Sequence, residues 1–532
     1  MLMRPFPLII NPLFRSVIVR QSPPIVANAA ANIRPPPVTT SQVLGRHSVV
    51  SVFQAAHMSS QIRPARRVAN QTQDVWTIVN EAAKTSSVSP VINLGQGFFG
   101  YNPPKFVLDA AKQALDRVDC NQYSPTKGRP RLKKALADAY SPFFGRELDP
   151  ETEITITTGA NEGMLSAFMA FVEQGDEVIV FEPYFDQYIS NIEMAGGKVV
   201  YVNLVPPERG HVETRPSSEW TVDFDMLQER INPRTRMLVR TKIQLGVVIP
   251  GLDADAMLLL AGYQHAVCVN RRSMHSMDAV EEKNSADMIQ CNRRHNPIGK
   301  IFSREELQRI GDICVQNNII ILSDEVYDRL YYTPFTRIAT LSPEIDNLTL
   351  TVGSAGKCFY ATGWRVGWLI GRPHLITYVS AAHTRICYSS VSPLQEAVAI
   401  GLEQAEQEGF WDRSKREMKD KQLRFNAIWD ELGLPYTDPE GGYFVLVNMS
   451  KVKIPEDYPF PDFVQSRPRD FKLSWFLIKE LGVAAIPPTE FVQPGTVMEK
   501  LTENYLRFAV CKDDDVLEAA KERLRGLRQY MV

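Results

Sequence analysis

The chain has 532 residues, 44% hydrophobic and 23% charged, with a formal net charge of −2. These values suit a soluble globular protein long enough for two to four domains. Residues 1–73 hold eight Arg and no Asp or Glu, so the rest carries 51 basic against 61 acidic residues, and an acidic body argues against nucleic acid as the main partner.

That leader is also rich in Ser, Thr, Ala and Pro, and it reads as a mitochondrial transit segment. Met58 offers an internal start for a shorter cytoplasmic form; a disordered tail is the alternative. Pro12 and Arg15 break the apolar run around Pro7 to Val19, so it does not span a membrane. The seven Cys contain no C-x-x-C pair and the eight His show no metal-ligand spacing, which suits a reducing compartment and predicts no metal.

Along the chain, residues 76–84 and 104–117 have helical periodicity, with the turn Gly95-Gln96-Gly97 between them. Residues 153–158 read as a strand ending at Gly159, 164–173 as a helix, and 177–181 and 198–202 as strands. The alternation resumes with a helix at 305–316 and strands at 319–322, 348–352 and 366–369. It predicts an α/β fold, a mostly parallel sheet with helices on both faces. From about Pro393 the texture changes to a long charged helix (403–431), a strand after Gly441-Gly442, and a last helix (516–530), a smaller α+β domain. The predicted organisation is a leader (1–73), an N-terminal arm with part of the small domain (74–110), a large domain (111–392) and a small C-terminal domain (393–532).

The chemistry concentrates in Ser354-Ala355-Gly356-Lys357, then Gly363-Trp364-Arg365, with Asp324-Glu325-Val326-Tyr327 upstream. A lone lysine is usually a solvated charge, and an acid after a strand is usually a cap. Here a lysine amine able to attack an aldehyde, an acid at the carboxyl edge of a parallel sheet, and a serine and arginine able to hold a phosphate recur together. That set suits pyridoxal phosphate. Ser354-x-x-Lys357 also matches a β-lactamase motif, but its partner motifs do not follow. Gly159-Ala160-Asn161 opens a helix after a strand, where backbone N–H groups face an anion. Phe185 either stacks on a flat ring or packs in the core. Tyr443, Phe98 and Tyr101 likewise fit an aromatic pocket or core packing.

These stretches, with Asn93-Leu-Gly-Gln-Gly97, Asn121-Gln-Tyr123, Glu182-Pro-Tyr-Phe-Asp186, His295-Asn296-Pro297 and Tyr505-Leu-Arg507, resemble the fold-type I, aspartate aminotransferase-like enzymes. They are most similar to the kynurenine–oxoglutarate transaminases, which also act as glutamine transaminases and cysteine-S-conjugate β-lyases. The resemblance spans about 74–239 and 295–532. It implies transamination of kynurenine with 2-oxoglutarate or another 2-oxo acid, and pyridoxal 5′-phosphate held covalently by Lys357. It further implies that Asp324 pairs with the ring nitrogen and that Tyr327 and Asn296 bond the ring hydroxyl. Ser354, Arg365 and the amides of Ala160 and Asn161 would hold the phosphate, and Phe185 would stack on the ring. Arg507, Gly97 and Asn296 would meet the substrate, and Tyr123 would come from the partner subunit of a homodimer.

One segment departs from the pattern. Residues 240–294 stand where the family has about four residues, and Arg240-Thr241-Lys242 interrupts an apolar strand. The segment lacks caps or a sustained period and reads as translated intron sequence; a genuine insertion loop is the alternative. A β-lyase on the same fold, and a product impaired by this segment, are the rival readings.

Overall fold

A computed structural model of the protein describes residues 65–69, 75–241, 298–332 and 336–532, all within the unit Ala65–Val532. The leader through residue 64, residues 70–74, and residues 242–297, including Asn296, lie outside the described residues.

An eight-stranded sheet forms the centre. Its strands are β1 (Ile154–Thr157), β2 (Glu177–Glu182), β3 (Lys198–Val205), β4 (Thr221–Val222), β5 (Thr235–Thr241), β6 (Ile320–Asp324), β7 (Thr349–Ser354) and β8 (Gly367–Ile370), in spatial order β1-β8-β7-β6-β5-β2-β3-β4. The run β3-β2-β5-β6-β7 is parallel, whereas β8 lies antiparallel to both β1 and β7. All of β2 is buried, as a strand covered on both faces must be. Its residues alternate between layers. Ile179 and Phe181 pack with Leu238, Ile321 and Leu307 of the helix Arg304–Gln316. Val178 and Val180 pack with Val239, Leu322 and Phe168 of the helix Gly159–Phe171. Each such side chain contributes about 1.5–3 kcal/mol.

β5 continues through Arg240 and Thr241, pairing Arg240 with Ser323 and Thr241 with Asp324. The predicted interruption at Arg240 is therefore absent. The strand tolerates the buried guanidinium because Arg240 Nη2 donates to Ser323 Oγ at 3.1 Å and its head lies over the Phe302 ring. The helix after the gap starts with a capping box: Ser303 Oγ accepts from Glu306 N at 3.0 Å, and Glu306 Oε2 accepts from Ser303 N at 2.8 Å.

A four-stranded sheet of Arg215–Pro216, Tyr436–Asp438, Phe444–Asn448 and Tyr505–Ala509 carries the C-terminal region. Trp429 packs on Phe508 beneath it, ring centroids 4.8 Å apart. The single helix expected over 403–431 is two, Ser392–Gln404 and Phe410–Leu432, because Gly409 adopts φ +56, which a right-handed helix does not accommodate. Ile92–Asn93 pairs with Val483–Ala484, and Leu94 O accepts from Ala509 N. These pairings bring Gly95–Gly97 beside Arg507. Among the described residues no helix is long and apolar enough to cross a membrane.

Candidate active site

The site forms where strands end. β6 stops at Asp324 and β7 at Ser354, and the short helix Ala355–Cys358 carries Lys357. On β8, Gly367 stands opposite both Thr157 and Ser354, so the turn after β1, Ser354 and Arg365 arrive at one edge. Gly159 has φ +82, and a Cβ there would lie 2.5 Å from Arg365 Nη2. A Cβ on Gly367 would lie 2.6 Å from Ala160 N. The backbone thus forms a cradle that side chains would fill, lined by amides at a helix N-terminus and faced by a guanidinium.

Glu162 braces this turn. Its Oε2 accepts from Thr158 N at 2.8 Å and from His383 Nδ1 at 3.0 Å, and Cys387 Sγ stands 3.3 Å from that same nitrogen. The sequence spacing gave no sign that Glu162, His383 and Cys387 meet.

A cavity of about 190 Å³ opens beside the cradle. Eight of the residues singled out in the sequence line it: Ala160, Asn161, Phe185, Asp324, Tyr327, Ser354, Lys357 and Arg365. Tyr188 also lines it, and its hydroxyl donates to Asp324 Oδ2 at 2.6 Å. Sequence reading missed Tyr188; its signal was its place three residues after Phe185, across the turn in which Tyr188 N donates to Phe185 O at 3.0 Å. The Phe185 and Tyr188 rings meet edge to face, centroids 5.6 Å apart. Burial pushes the Asp324 carboxyl above its ordinary range, and the Tyr188 hydrogen bond opposes that rise.

Lys357 Nζ donates to the Tyr443 hydroxyl at 2.7 Å and to Gly97 O at 3.2 Å. Removal from water draws its amine down to about 8, with Arg507 and Arg365 adding to the fall. Only the neutral amine is a nucleophile. Acylation of Lys357 by acetic anhydride in the cofactor-free protein should therefore climb with pH to a midpoint near about 8 and level off above it. Labelling followed by peptide mass mapping measures this. A midpoint near 10.5 would mean that the amine stands in water.

Arg507 lies beyond Lys357, 3% exposed. Its Nη2 donates to Gly95 O at 3.0 Å, its head rests 4.2 Å from the Phe444 ring centroid, and burial lowers it to about 10. Gly97 lies flush against that wall: a Cβ there would meet Phe444 Cζ at 2.6 Å. Tyr443 is fully buried, with its hydroxyl on Lys357. Tyr101 packs edge to face on Tyr360, and Phe98 is 43% exposed. Tyr123 is 86% exposed, away from this cavity, with its ring edge to face on Tyr388.

The sequence profile of the family described as aminotransferase class I and II matches residues 89–244 and 271–524. The chain is 48% identical over 470 residues to the Saccharomyces cerevisiae protein named probable kynurenine–oxoglutarate transaminase BNA3, covering 87% of this chain and 94% of that protein. It is 32% identical to the kynurenine–oxoglutarate transaminase of Dictyostelium discoideum, covering 89% of this chain and 98% of that one. The crystal structure of Bna3p from Saccharomyces cerevisiae superposes with a TM-score of 0.76 at 47% identity, over 88% of this chain and 100% of that one. N-succinyldiaminopimelate aminotransferase from Mycobacterium tuberculosis superposes with a TM-score of 0.68 at 28% identity, over 87% and 100%. With its profile, its relatives and its site geometry in agreement, this chain belongs to the class I and II aminotransferases.

Proposed function

We propose that the chain is a pyridoxal-phosphate-dependent enzyme that transfers the amino group of kynurenine to 2-oxoglutarate or another 2-oxo acid. The observation that carries this is the convergence of Lys357 and Asp324 on one cavity, with an anion cradle at one side and Arg507 at the other. The substrate class follows the relatives named for kynurenine.

The residues fit the cofactor. The cradle formed by Gly159, the Ala160 amide and Gly367, with Ser354 and Arg365, suits a phosphate, and Asn161 stands at the same helix N-terminus. Phe185 offers a ring face, Asp324 a carboxylate for a ring nitrogen, and Tyr327 a hydroxyl, with Asn296 assigned beside it by the resemblance. Pyridoxal phosphate, when bound, supplies an electron sink for the carbanion at the amino acid's α carbon. The protein's own contribution is local. Lys357, near neutrality and held by Tyr443, is placed to take and return the α proton. Arg507 has the planar fork that matches a carboxylate, against Gly97.

Tyr188 belongs to this machinery as the donor that fixes Asp324. Tyr188→Phe should lower kcat roughly ten- to a hundredfold, the equivalent of about 1.5–3 kcal/mol for a hydrogen bond to a charged group, with little change in Tm. Steady-state kinetics beside a thermal melt measures it, and an unchanged kcat refutes the assignment.

The proposal includes a homodimer in which Tyr123 reaches the neighbour's site, supported by its exposure beside exposed Tyr388 and Val391. It places the protein in the mitochondrion through the Arg-rich leader and keeps the division at 74–110, 111–392 and 393–532. It also reads the 240–294 segment, less Arg240 and Thr241 that pair in the sheet, as translated intron; the family profile leaves 245–270 of it unmatched and matches again from 271. Transcripts that all encode the segment would end that part.

The test is a turnover assay on the purified protein. Kynurenine with 2-oxoglutarate should give the 2-oxo acid that closes to kynurenate. Pyruvate and ammonia from a cysteine conjugate without any acceptor would mark a lyase instead. No turnover and no spectral change on adding amino acid would mark an impaired product.

A further inference from the structure

Four consecutive carbonyl groups, from Gly95 to Phe98, point at three cationic side chains. Gly95 O accepts from Arg507 Nη2 at 3.0 Å, and Gly97 O accepts from Lys357 Nζ at 3.2 Å and from the Tyr443 hydroxyl at 2.8 Å. The carbonyls between and beyond them belong to a third cation. Lys512 Nζ donates to Gln96 O at 3.0 Å and to Phe98 O at 2.6 Å, and it stands 3.5 Å from the Phe98 ring centroid. Cys511 Sγ adds a second donor to Phe98 O at 3.2 Å.

Lys512 is only 3% exposed, yet among the described residues no carboxylate lies within ion-pair distance of it. Burying an ammonium without a counter-charge is unfavourable unless hydrogen bonds compensate. Here the compensation is the strap itself. Two of the strap's residues carry no side chain, Gly95 lying against Ile486 and Gly97 against Phe444 and Tyr443, each too close for a Cβ, while the Gln96 side chain accepts from Asn93 Nδ2 at 2.8 Å. Asn93 Oδ1 holds the strap's first two amides, accepting from Gly95 N at 3.1 Å and from Gln96 N at 3.0 Å, and the carbonyls are gripped separately, by the cations. Lys512 grips the two that flank Gly97.

We propose that Lys512 is a positioning residue for the carboxylate end of the substrate. It fixes the Gly95–Phe98 strap against which that end lies, and it joins Lys357 and Arg507 in giving this side of the site a charge opposite to a carboxylate. This rests on the reading of Arg507 as the carboxylate-binding residue. It carries a distinctive consequence. The amino-acid donor and the 2-oxo-acid acceptor share only the α-carboxylate end, so a fault in the strap must weaken both alike, whereas a fault in a side-chain pocket discriminates between them.

The experiment compares Lys512→Met, Gly97→Ala and Arg507→Ala holoenzymes with the parent. It records KM and kcat for donor and acceptor, the dissociation constant of 3-phenylpropanoate (a carboxylate without an amino group), and amide hydrogen exchange of residues 95–98 in the cofactor-free chains. Lys512→Met should raise both KM values and the dissociation constant about tenfold, with kcat changed far less and strap exchange faster. Gly97→Ala, which forces the strap off Phe444 by another route, should do the same if Lys512→Met does not fold. A rise confined to one substrate, or no rise, overturns the proposal. If Arg507→Ala also leaves the dissociation constant unchanged, the carboxylate binds elsewhere and the underlying reading falls with it. If Arg507→Ala weakens binding and the strap variants do not, the Lys512 assignment alone falls.

Discussion

Lys357→Ala should abolish transamination while leaving a folded protein that still takes up cofactor through its phosphate contacts. Among the described residues Lys357 is the one amine lining the cavity, so no neighbour replaces it as covalent anchor or as proton carrier. The loss of general acid–base catalysis alone amounts to roughly 10²–10⁴-fold. Stability should change little. The variant gives up hydrogen bonds to Tyr443 and Gly97, but it also relieves the burial of an amine whose removal from water already draws it to about 8. Tyr443 keeps its own bond to Gly97 at 2.8 Å, which holds the wall in place. Kinetics, a thermal melt and cofactor retention on a desalting column check these three statements. Full activity in the variant removes Lys357 from the reaction.

Asp324→Ala should lower kcat/KM close to a thousandfold, about 4 kcal/mol or more, because a buried, pre-aimed charge acts where water does not screen it. Asp324 is 7% exposed, and its geometry is set from two sides, by the Tyr188 hydroxyl at 2.6 Å and by Val326 N at 3.3 Å. The same burial has a measurable sign in the cofactor-free chain. A carboxyl raised above its ordinary value contributes stability that is present below about 3.8 and lost as pH rises through the folded value. Asp324→Asn should therefore stabilise the cofactor-free protein at neutral pH while impairing catalysis nearly as much as Asp324→Ala. A kinetic loss of tenfold or less would give Asp324 another task.

Much of the site was legible because its chemistry lies at strand ends and adjacent turns. Asp324, Ser354 and Lys357 sit within local strand-to-helix motifs whose grammar survives in one dimension, and the structure brings them to one cavity. The contacts that sequence reading missed come from pairings across the fold. Lys512 meets Gln96 and Phe98 only because Leu94 bonds to Ala509 and Ile92 pairs with Val483. Tyr443 reaches Lys357 from the bend just before the strand Phe444–Asn448 of the smaller sheet. Tyr188 looked like one more aromatic on a helix until the fold placed Asp324 beside it. The errors in elements have similar causes. Gly409 breaks a charged run whose periodicity continues on either side, and the strand through Arg240 tolerates its charge by way of Ser323, a residue 83 positions away. The segment after Thr241 violates the local grammar on both sides of it. The strand before it and the buried turn at Ile298–Phe302 after it nevertheless hold their places in the fold.

On the proposed function, Lys357 is the residue to which vitamin B6 aldehyde attaches. Borohydride reduction of the holoenzyme, proteolysis and mass mapping test it most directly. A pyridoxyl mass on the peptide containing Lys357, and its disappearance in Lys357→Ala, is the predicted result; the same mass on another lysine of the active protein would contradict the account.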